Sequence, residues 1–106
     1  MSEAVIRLPD RVAEGQVFQV RVLLRHPMES GYRHDAVGRL VPRHIVQWVR
    51  CLYGGGEVFR AELSPGISAN PFFQFPVQAS ASGELRVEWS DDRGRAFAAS
   101  ARVVVG

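Results

Sequence analysis

The stretch Glu84-Leu-Arg-Val-Glu-Trp89 alternates apolar and charged side chains without interruption. Leu85, Val87 and Trp89 share one side of an extended chain, and the charged residues between them share the other. A period of two is typical of a β-strand with one face on a hydrophobic core and the other in water. The stretch therefore predicts a strand in an antiparallel sheet.

The same alternation recurs on both sides of this stretch. It predicts further strands near residues 18–24, 59–63, 73–79 and 97–105. The apolar stretch 45–53 and a short piece near residues 4–8 are added to these. Turn formers such as Gly54-Gly-Gly56, Ser64-Pro-Gly66 and Ser82-Gly83 separate these segments. About seven short strands with turns between them indicate an all-β fold, an immunoglobulin-like antiparallel β-sandwich. Pro76 lies inside one predicted strand, so we expect that strand at a sheet edge or with a bulge there.

The length of the chain, 106 residues, matches one ordinary domain. We therefore expect a single β-sandwich domain over residues 1–106. The chain has one cysteine, Cys51, so the inter-sheet disulfide of antibody domains is absent. Cys51 is expected to be a small buried hydrophobic side chain, with a reactive thiol or an intermolecular disulfide as the alternatives.

The charge pattern and the apolar pattern exclude two classes of partner. A net charge of +2, carried by arginines without any lysine, is too small and dispersed for a nucleic-acid footprint. No stretch is long enough to span a membrane, and the amino terminus lacks a signal-peptide pattern. Taken alone, these features predict a cytoplasmic protein.

The strand predicted at residues 45–53 is apolar on both faces. We assign Ile45, Val49, Cys51 and Tyr53 to one face, and Val46, Trp48 and Leu52, interrupted by Arg50, to the other. One interpretation is a central strand whose second face is covered by loops of the same chain. The other is a face covered by a partner protein, since exposed apolar patches mark contacts and Trp and Arg are favoured interface anchors.

A long irregular stretch is predicted from His26 to about Pro42. Connections of this length are uncommon inside a compact domain unless they are functional or mobile. Residues 25–44 hold four arginines against two acids, which accounts for the whole net charge, together with all three histidines. The stretch is therefore the first place to expect binding.

The sequence contains no convincing catalytic constellation. His26, His34 and His44 lack the short paired spacing of zinc motifs, although a metal site in which they converge is an alternative. The pair Asp91-Asp92 precedes Arg93-Gly94 and is typical of a turn. We therefore predict no catalytic residues, no metal site and no cofactor.

Five segments, taken together, resemble the SoxZ family of the bacterial sulfur-oxidising (Sox) system. They are His26-Pro-Met-Glu-Ser-Gly31, Pro42-Arg-His-Ile45, Glu57-Val-Phe59, Ser68-Ala-Asn-Pro71 and Trp89-Ser-Asp-Asp92. Their order and spacing match over nearly the whole chain. The resemblance implies an immunoglobulin-like subunit that is not an enzyme and that pairs with SoxY in a heterodimeric carrier.

In that family, SoxY carries sulfur intermediates covalently on a cysteine at the end of a flexible, glycine-rich carboxy-terminal segment. The resemblance implies that this chain supports such a partner during thiosulfate oxidation and meets other Sox enzymes transiently. It also implies a periplasmic location reached together with SoxY, which supplies the export signal. Under this interpretation the cytoplasmic expectation is replaced by a periplasmic one.

We predict that the partner contacts come from the second face of the 45–53 strand and from the family-like segments. The predicted residues are Val46, Trp48, Arg50, Leu52, His26, Met28, Arg43 and Asn70. Two alternatives remain open: a small metal-binding domain, or a self-associating domain whose apolar face pairs two identical chains. A SoxZ-like chain expressed alone is also expected to form a homodimer when its partner face is unoccupied.

Overall fold

A computed structural model describes residues 3–106 and contains seven β-strands. The strands are β1 (Glu3–Arg7), β2 (Val17–Arg25), β3 (Val46–Tyr53), β4 (Gly56–Glu62), β5 (Phe72–Gln78), β6 (Gly83–Asp91) and β7 (Ala96–Val103). Within this range there is no helix long and apolar enough to cross a membrane.

The strands form two antiparallel sheets. One has three strands in the order β1-β2-β5, and the other has four in the order β4-β3-β6-β7. A parallel bridge between Val12 and Val105 lies outside the named strands. The predicted all-β sandwich of about seven antiparallel strands is confirmed.

The core lies between the sheets because alternate residues of each strand point inward. On β6, Leu85, Val87 and Trp89 are buried, as their alternation with charged residues predicts. On β3, Cys51 is buried as well, which confirms its predicted role as a core side chain. Phe59 of β4 stacks on Phe75 of β5, with ring centroids 4.1 Å apart, and so joins the two sheets.

Local turn chemistry fixes the connection between β3 and β4. Tyr53 pairs with Gly56, which leaves Gly54 and Gly55 as a two-residue loop. Both have positive φ, 63° and 84°, the left-handed conformation that two-residue hairpin turns need and that glycine adopts without steric strain. The glycine run is therefore a tight turn.

Pro76 occupies an edge strand, as predicted. It lies on β5, which pairs with β2 on one side only and ends the three-stranded sheet. Proline is tolerated there because a residue without an N–H group removes no hydrogen bond from a central ladder.

A bulge in β3 corrects the predicted face of Val46. The register with β6 shifts between Val46 and Trp48, so the alternation resets at Gln47. Val46 therefore points into the core with 0% of its surface exposed, whereas Trp48 points outward. The assignment of Val46 to the same face as Trp48 and Leu52 is wrong, because simple alternation does not anticipate an extra residue in the strand.

The stretch after β2 is more ordered than predicted. Residues 29–44 form an irregular two-stranded projection, which we call the arm. The amides of Glu29 and His44 each donate to the carbonyl of the other at 2.8 Å, and His34 bridges Leu40 farther out. The predicted irregular loop is thus a hairpin-like element outside both sheets.

The side chain of Asp35 shapes the tip of the arm. Its Oδ1 accepts hydrogen bonds from the amides of Val37 and Arg39, both at 2.9 Å. Tyr32, at 82% exposure, and Val37 lie in water. The molecule measures 56 × 21 × 19 Å, and its radius of gyration of 16.0 Å exceeds the ~13 Å typical of a compact domain of about 100 residues.

The position of Val46 can be tested against a matched valine. We expect Val46→Ala to lower the free energy of unfolding by about 2 kcal/mol, because it removes buried methyl groups and leaves a cavity. Val17→Ala, at a strand position that is 59% exposed, should cost less than about 0.5 kcal/mol. Urea unfolding followed by fluorescence measures both, and equal losses would show that Val46 is not a core residue.

Candidate functional site

Segments that are distant in sequence meet at one end of the sandwich. His26 follows β2, His44 precedes β3, Asn70 precedes β5, and Asp91 ends β6. Arg95, just before β7, joins them. We call these five residues the hub.

The peptide of His26 is held on both sides. Its amide donates to Asn70 Oδ1 at 3.0 Å, and its carbonyl accepts from the Asn70 amide at 2.8 Å. Its ring Nδ1 accepts a hydrogen bond from the Met28 amide at 3.0 Å. The side chain is 2% exposed, so these contacts fix both its position and its orientation.

Asn70 of the hub and Met28 next to it adopt a backbone conformation that is unusual outside glycine. Met28 has a φ of 49° and Asn70 a φ of 53°. Asparagine tolerates this region better than most residues, whereas the left-handed conformation costs methionine roughly 1–2 kcal/mol. The cost at Met28 is offset by burial of its side chain, whose Sδ also accepts from the Val46 amide at 3.2 Å.

The two histidines are in direct contact. His26 Nε2 lies 3.3 Å from His44 Nε2, and the rings meet edge to face with centroids 4.4 Å apart. Because the Met28 amide already donates to Nδ1 of His26, a neutral His26 carries its proton on Nε2. His26 is therefore the donor in this contact whenever His44 Nε2 carries no proton.

Arg95 links His44 to Asp91. Its Nη2 lies 3.2 Å from His44 Nε2, and its Nε donates to Asp91 Oδ2 at 3.0 Å. Asp91 Oδ2 lies 3.2 Å from the same nitrogen, so the guanidinium group, the carboxylate and both imidazole rings meet at His44 Nε2.

The environment shifts the ionisation of both buried hub groups. Burial lowers the pKa of His26, the neighbouring His44 lowers it further, and Asp91 and Asp92 partly oppose this. Burial alone would raise the pKa of Asp91, but hydrogen bonds from the Arg95 amide, the His44 side chain, the Arg93 amide and the Arg95 side chain bring it to about 2. At neutral pH the hub thus combines a neutral His26 with an ionised Asp91.

A cation at the hub would meet unfavourable chemistry. Ligand atoms of His26, His44 and Asp91 lie within 4.8 Å of one another, whereas His34 is not part of this group. When one ring nitrogen of a histidine binds a metal, the other normally donates a hydrogen bond. In His26, Nδ1 instead accepts a hydrogen bond from the Met28 amide, so Nε2 carries the proton and has no lone pair for a metal. Arg95 also places a positive charge against the other two ligand atoms. The alternative of a site formed by all three histidines does not match this geometry.

The hub anchors the base of the arm. Asp92, next to Asp91, accepts from Arg43 Nε and from the Ile45 amide, both at 3.1 Å, and its own amide donates to the Ile45 carbonyl. At the opposite side of the base, Arg33 forms two hydrogen bonds with the Glu29 carboxylate, at 2.8 and 3.0 Å. The arm is therefore tied to the end of β6 by side chains as well as by backbone.

The residues predicted for partner contact fall in four places. Val46 is in the core, and His26 and Met28 are buried in the hub region, so their side chains offer almost no surface to a partner. The others remain accessible to different extents: Arg43 and Asn70 at the base of the arm, and Trp48, Arg50 and Leu52 on the outer face of the four-stranded sheet. A partner contact by these five residues remains a prediction.

The turn interpretation of Asp91 and Asp92 covers only part of their role. Asp91 and Asp92 do begin the turn between β6 and β7, as predicted, and Asp91 accepts from the amides of Arg93 and Arg95 within it. Asp92, beside the hub, also accepts from the amide of the distant Ile45, which the turn interpretation did not include. The signal that could have found them is the resemblance itself, since Trp89-Ser-Asp-Asp92 is one of its segments. Arg95 lies outside those segments and had no such signal.

The outer face around Trp48 is neutralised within the chain. Arg50 contacts Glu88 at 2.7 Å, and Arg86 contacts the same carboxylate at 2.8 Å. The guanidinium groups of Arg50 and Arg60 lie 5.7 and 5.5 Å from the centre of the Trp48 ring. The indole is therefore partly covered by arginines of its own chain.

The fold and the hub together define an immunoglobulin-like β-sandwich in which a buried hydrogen-bond network holds a projecting arm. The chain belongs to the SoxZ family, since the family model described as sulphur oxidation protein SoxZ matches residues 6–102. Membership gives the chain a role in the Sox sulfur-oxidation system. SoxZ is a family of carrier subunits and not of enzymes.

Solved structures share this fold. The superoxide reductase (neelaredoxin) from Ignicoccus hospitalis has a TM-score of 0.72 at 22% identity, covering 97% of this chain and 80% of that one. The sulfur carrier protein SoxY from Chlorobium limicola f thiosulfatophilum has a TM-score of 0.70 at 15% identity, covering 97% and 78%. At such identities the likeness establishes the fold alone. No curated protein matches the chain.

The lowered pKa of His26 predicts a pH dependence of stability. Below about pH 6.5 the unfolded chain binds a proton at this position that the folded chain resists, so stability falls as the pH decreases. Urea midpoints between pH 7 and pH 5 should therefore fall less steeply for His26→Gln than for the wild type. His34→Gln, on the exposed arm, should keep the wild-type slope, and an unchanged slope in His26→Gln would contradict the prediction.

Asn70 offers a test of the strained backbone. Asn70→Ala should lower the free energy of unfolding by about 2 kcal/mol, because it removes the acceptor of the His26 amide and leaves a β-carbon at positive φ. Asn70→Gly also lacks the acceptor but tolerates this φ, so it should lose only about 1 kcal/mol. Denaturant unfolding of the two variants compares them directly, and equal losses would rule out a strain contribution.

Proposed function

We propose that the chain is the non-catalytic subunit of a SoxYZ-type heterodimeric carrier. In this role it binds and supports a cysteine-bearing SoxY partner, which presents covalently bound sulfur intermediates during thiosulfate oxidation. The observation that carries the proposal is the match of the SoxZ family model to residues 6–102, almost the whole chain.

The state of Cys51 supports a division of labour between the two subunits. A thiol that carries sulfur must be accessible and must ionise near neutral pH. Cys51 is buried in β3, and burial raises its pKa to about 12. A protonated core thiol is a poor nucleophile, so the cargo thiol of the carrier has to come from the partner.

The hub supports a structural role for the ionisable groups. A nucleophile needs an adjacent base with a free lone pair, and a metal needs open ligands. Among residues 3–106, the ligand-type cluster of His26, His44 and Asp91 is occupied by hydrogen bonds within the chain. Its contacts hold the arm in place and contribute no reactive group.

The proposed role includes a location and further contacts. We propose that the heterodimer resides in the periplasm and that this chain is exported with its partner. The other Sox enzymes that modify the cargo would then meet the complex transiently. In the absence of the partner, pairing of two copies of this chain is the expected alternative state.

The first experiment is native mass spectrometry of this chain mixed with a SoxY-type protein that carries the carboxy-terminal cysteine. We expect a one-to-one complex, because stable heterodimers bury of the order of 1,000 Å² or more. Two unassociated folded proteins, or homodimers of this chain in the presence of the partner, would contradict the proposal.

A variant of the buried thiol separates the carrier role from the partner role. Cys51→Ser should form the same complex and leave the sulfur load on the partner unchanged, because this thiol does not carry cargo. Replacement of the partner's terminal cysteine by serine should keep the complex and remove the load. Loss of the sulfur adduct in Cys51→Ser alone would transfer the carrier function to this chain.

A further inference from the structure

The outer face of the three-stranded sheet carries a continuous apolar row. Val5 of β1 pairs with Leu23 of β2, and Leu23 pairs with Phe72 of β5, so the three side chains lie side by side across all three strands. Phe72 is 57% exposed, although it is among the largest apolar side chains of the chain. A row of this kind in water favours contact with another protein.

Two arginines face each other next to this row. Arg7 of β1 and Arg21 of β2 are direct register partners, and the next residue across, on β5, is the neutral Gln74. Neither arginine forms an ion pair with any residue in the range 3–106. Like charges directly opposite on a sheet are destabilising, so the free chain keeps an unfavourable pair at this position.

The two outer faces differ in charge. On the three-stranded sheet, three arginines (7, 21 and 25) face one acid, Glu3, which pairs with Arg25. On the four-stranded sheet, four arginines (50, 60, 86 and 102) face four glutamates (57, 62, 84 and 88), and most of them are paired. The excess positive charge thus lies beside the exposed apolar row and not around Trp48.

We propose that the outer face of the three-stranded sheet docks the SoxY-type partner, with an apolar side chain on the Val5–Leu23–Phe72 row and a carboxylate between Arg7 and Arg21. This inference rests on the proposed function. It replaces the Trp48 face as the main contact, because that face already satisfies its charges internally.

The charges on this face select the occupant. A second copy of the chain would place arginines against arginines, which opposes pairing of two such faces. A depression of about 240 Å³ lies between the apolar row and the arginines at 7, 21 and 25, so one surface offers both kinds of contact. The matching surface is a protein face with carboxylates around an apolar centre.

The test compares single substitutions on the two faces by titrating the SoxY-type protein into each folded variant and measuring the dissociation constant. Arg21→Glu and Phe72→Ser should each weaken binding at least tenfold. Arg21→Glu creates a favourable pair with Arg7, so lost binding in this variant cannot be attributed to unfolding. Arg102→Glu, the same charge reversal on the other face, and Trp48→Ser should bind within about twofold of the wild type.

The outcomes separate the two proposals. Weakening by Arg21→Glu and Phe72→Ser alone supports docking on the three-stranded sheet. Wild-type affinity in both of these, or equal weakening by the variants on the Trp48 face, overturns it while the carrier role stands. If the wild type itself forms no complex, the carrier role fails, and the docking surface fails with it.

A second measurement uses the free chain alone. Removal of one member of the like-charged pair, in Arg21→Gln, should raise the melting temperature by about 1–4 °C. Arg102→Gln, which faces Glu84 across β6 and β7, should lower it or leave it unchanged. A lower melting temperature for Arg21→Gln would show that the arginine pair is not repulsive and would remove the reason to expect a carboxylate there.

Discussion

The buried carboxylate of Asp91 is the group on which the functional end of the molecule depends. It is 1% exposed and ionised, so it must find donors within the chain. The amides of Arg93 and Arg95 and the guanidinium group of Arg95 supply them. Because Arg95 also contacts His44, and His44 contacts His26, one anion orders the turn after β6 together with both ends of the arm. Substitution of Asp91 would therefore disturb three segments at once: the turn after β6 and the segments that contain His26 and His44.

Charges are paired within the chain in some regions of the molecule and left unpaired on one outer face. At the hub and on the outer face around Trp48, charges are matched within the chain, so these regions are complete in the free protein. On the three-stranded sheet, Arg7 and Arg21 are left unmatched beside an exposed Phe72. Such a face is less stable alone than it would be against an acidic and apolar surface, as expected of a subunit that works in a complex. The chain belongs to a family of carrier subunits, and the difference in charge matching between its two outer faces is a physical reason for such a subunit to bind a partner.

Much of the fold could be predicted from local pattern, whereas the site could not. Period-two alternation located most of the strands, and Pro76 indicated that its strand lies at a sheet edge, because both signals lie within a few residues of the sequence. The bulge at Gln47 escaped this reasoning, since it depends on the register with β6 and reverses the face of Val46. The long-range contacts of the hub join residues 18 to 51 positions apart, and only the folded chain brings them together. The opposition of Arg7 and Arg21 was likewise hidden, because it requires the pairing of β1 with β2.

The edge position of Pro76 bears on whether the free chain can aggregate through its sheet edge. An exposed phenylalanine on an open edge strand is an invitation to strand addition and aggregation. Pro76 lies on the same strand as Phe72 and interrupts the row of backbone donors that an incoming strand would need. Phe72 can therefore stay exposed for contact with a specific surface, while the edge of β5 lacks the full row of backbone N–H groups that strand addition needs. The pyrrolidine ring of Pro76 thus permits contact through side chains while it opposes extension of the sheet by further strands.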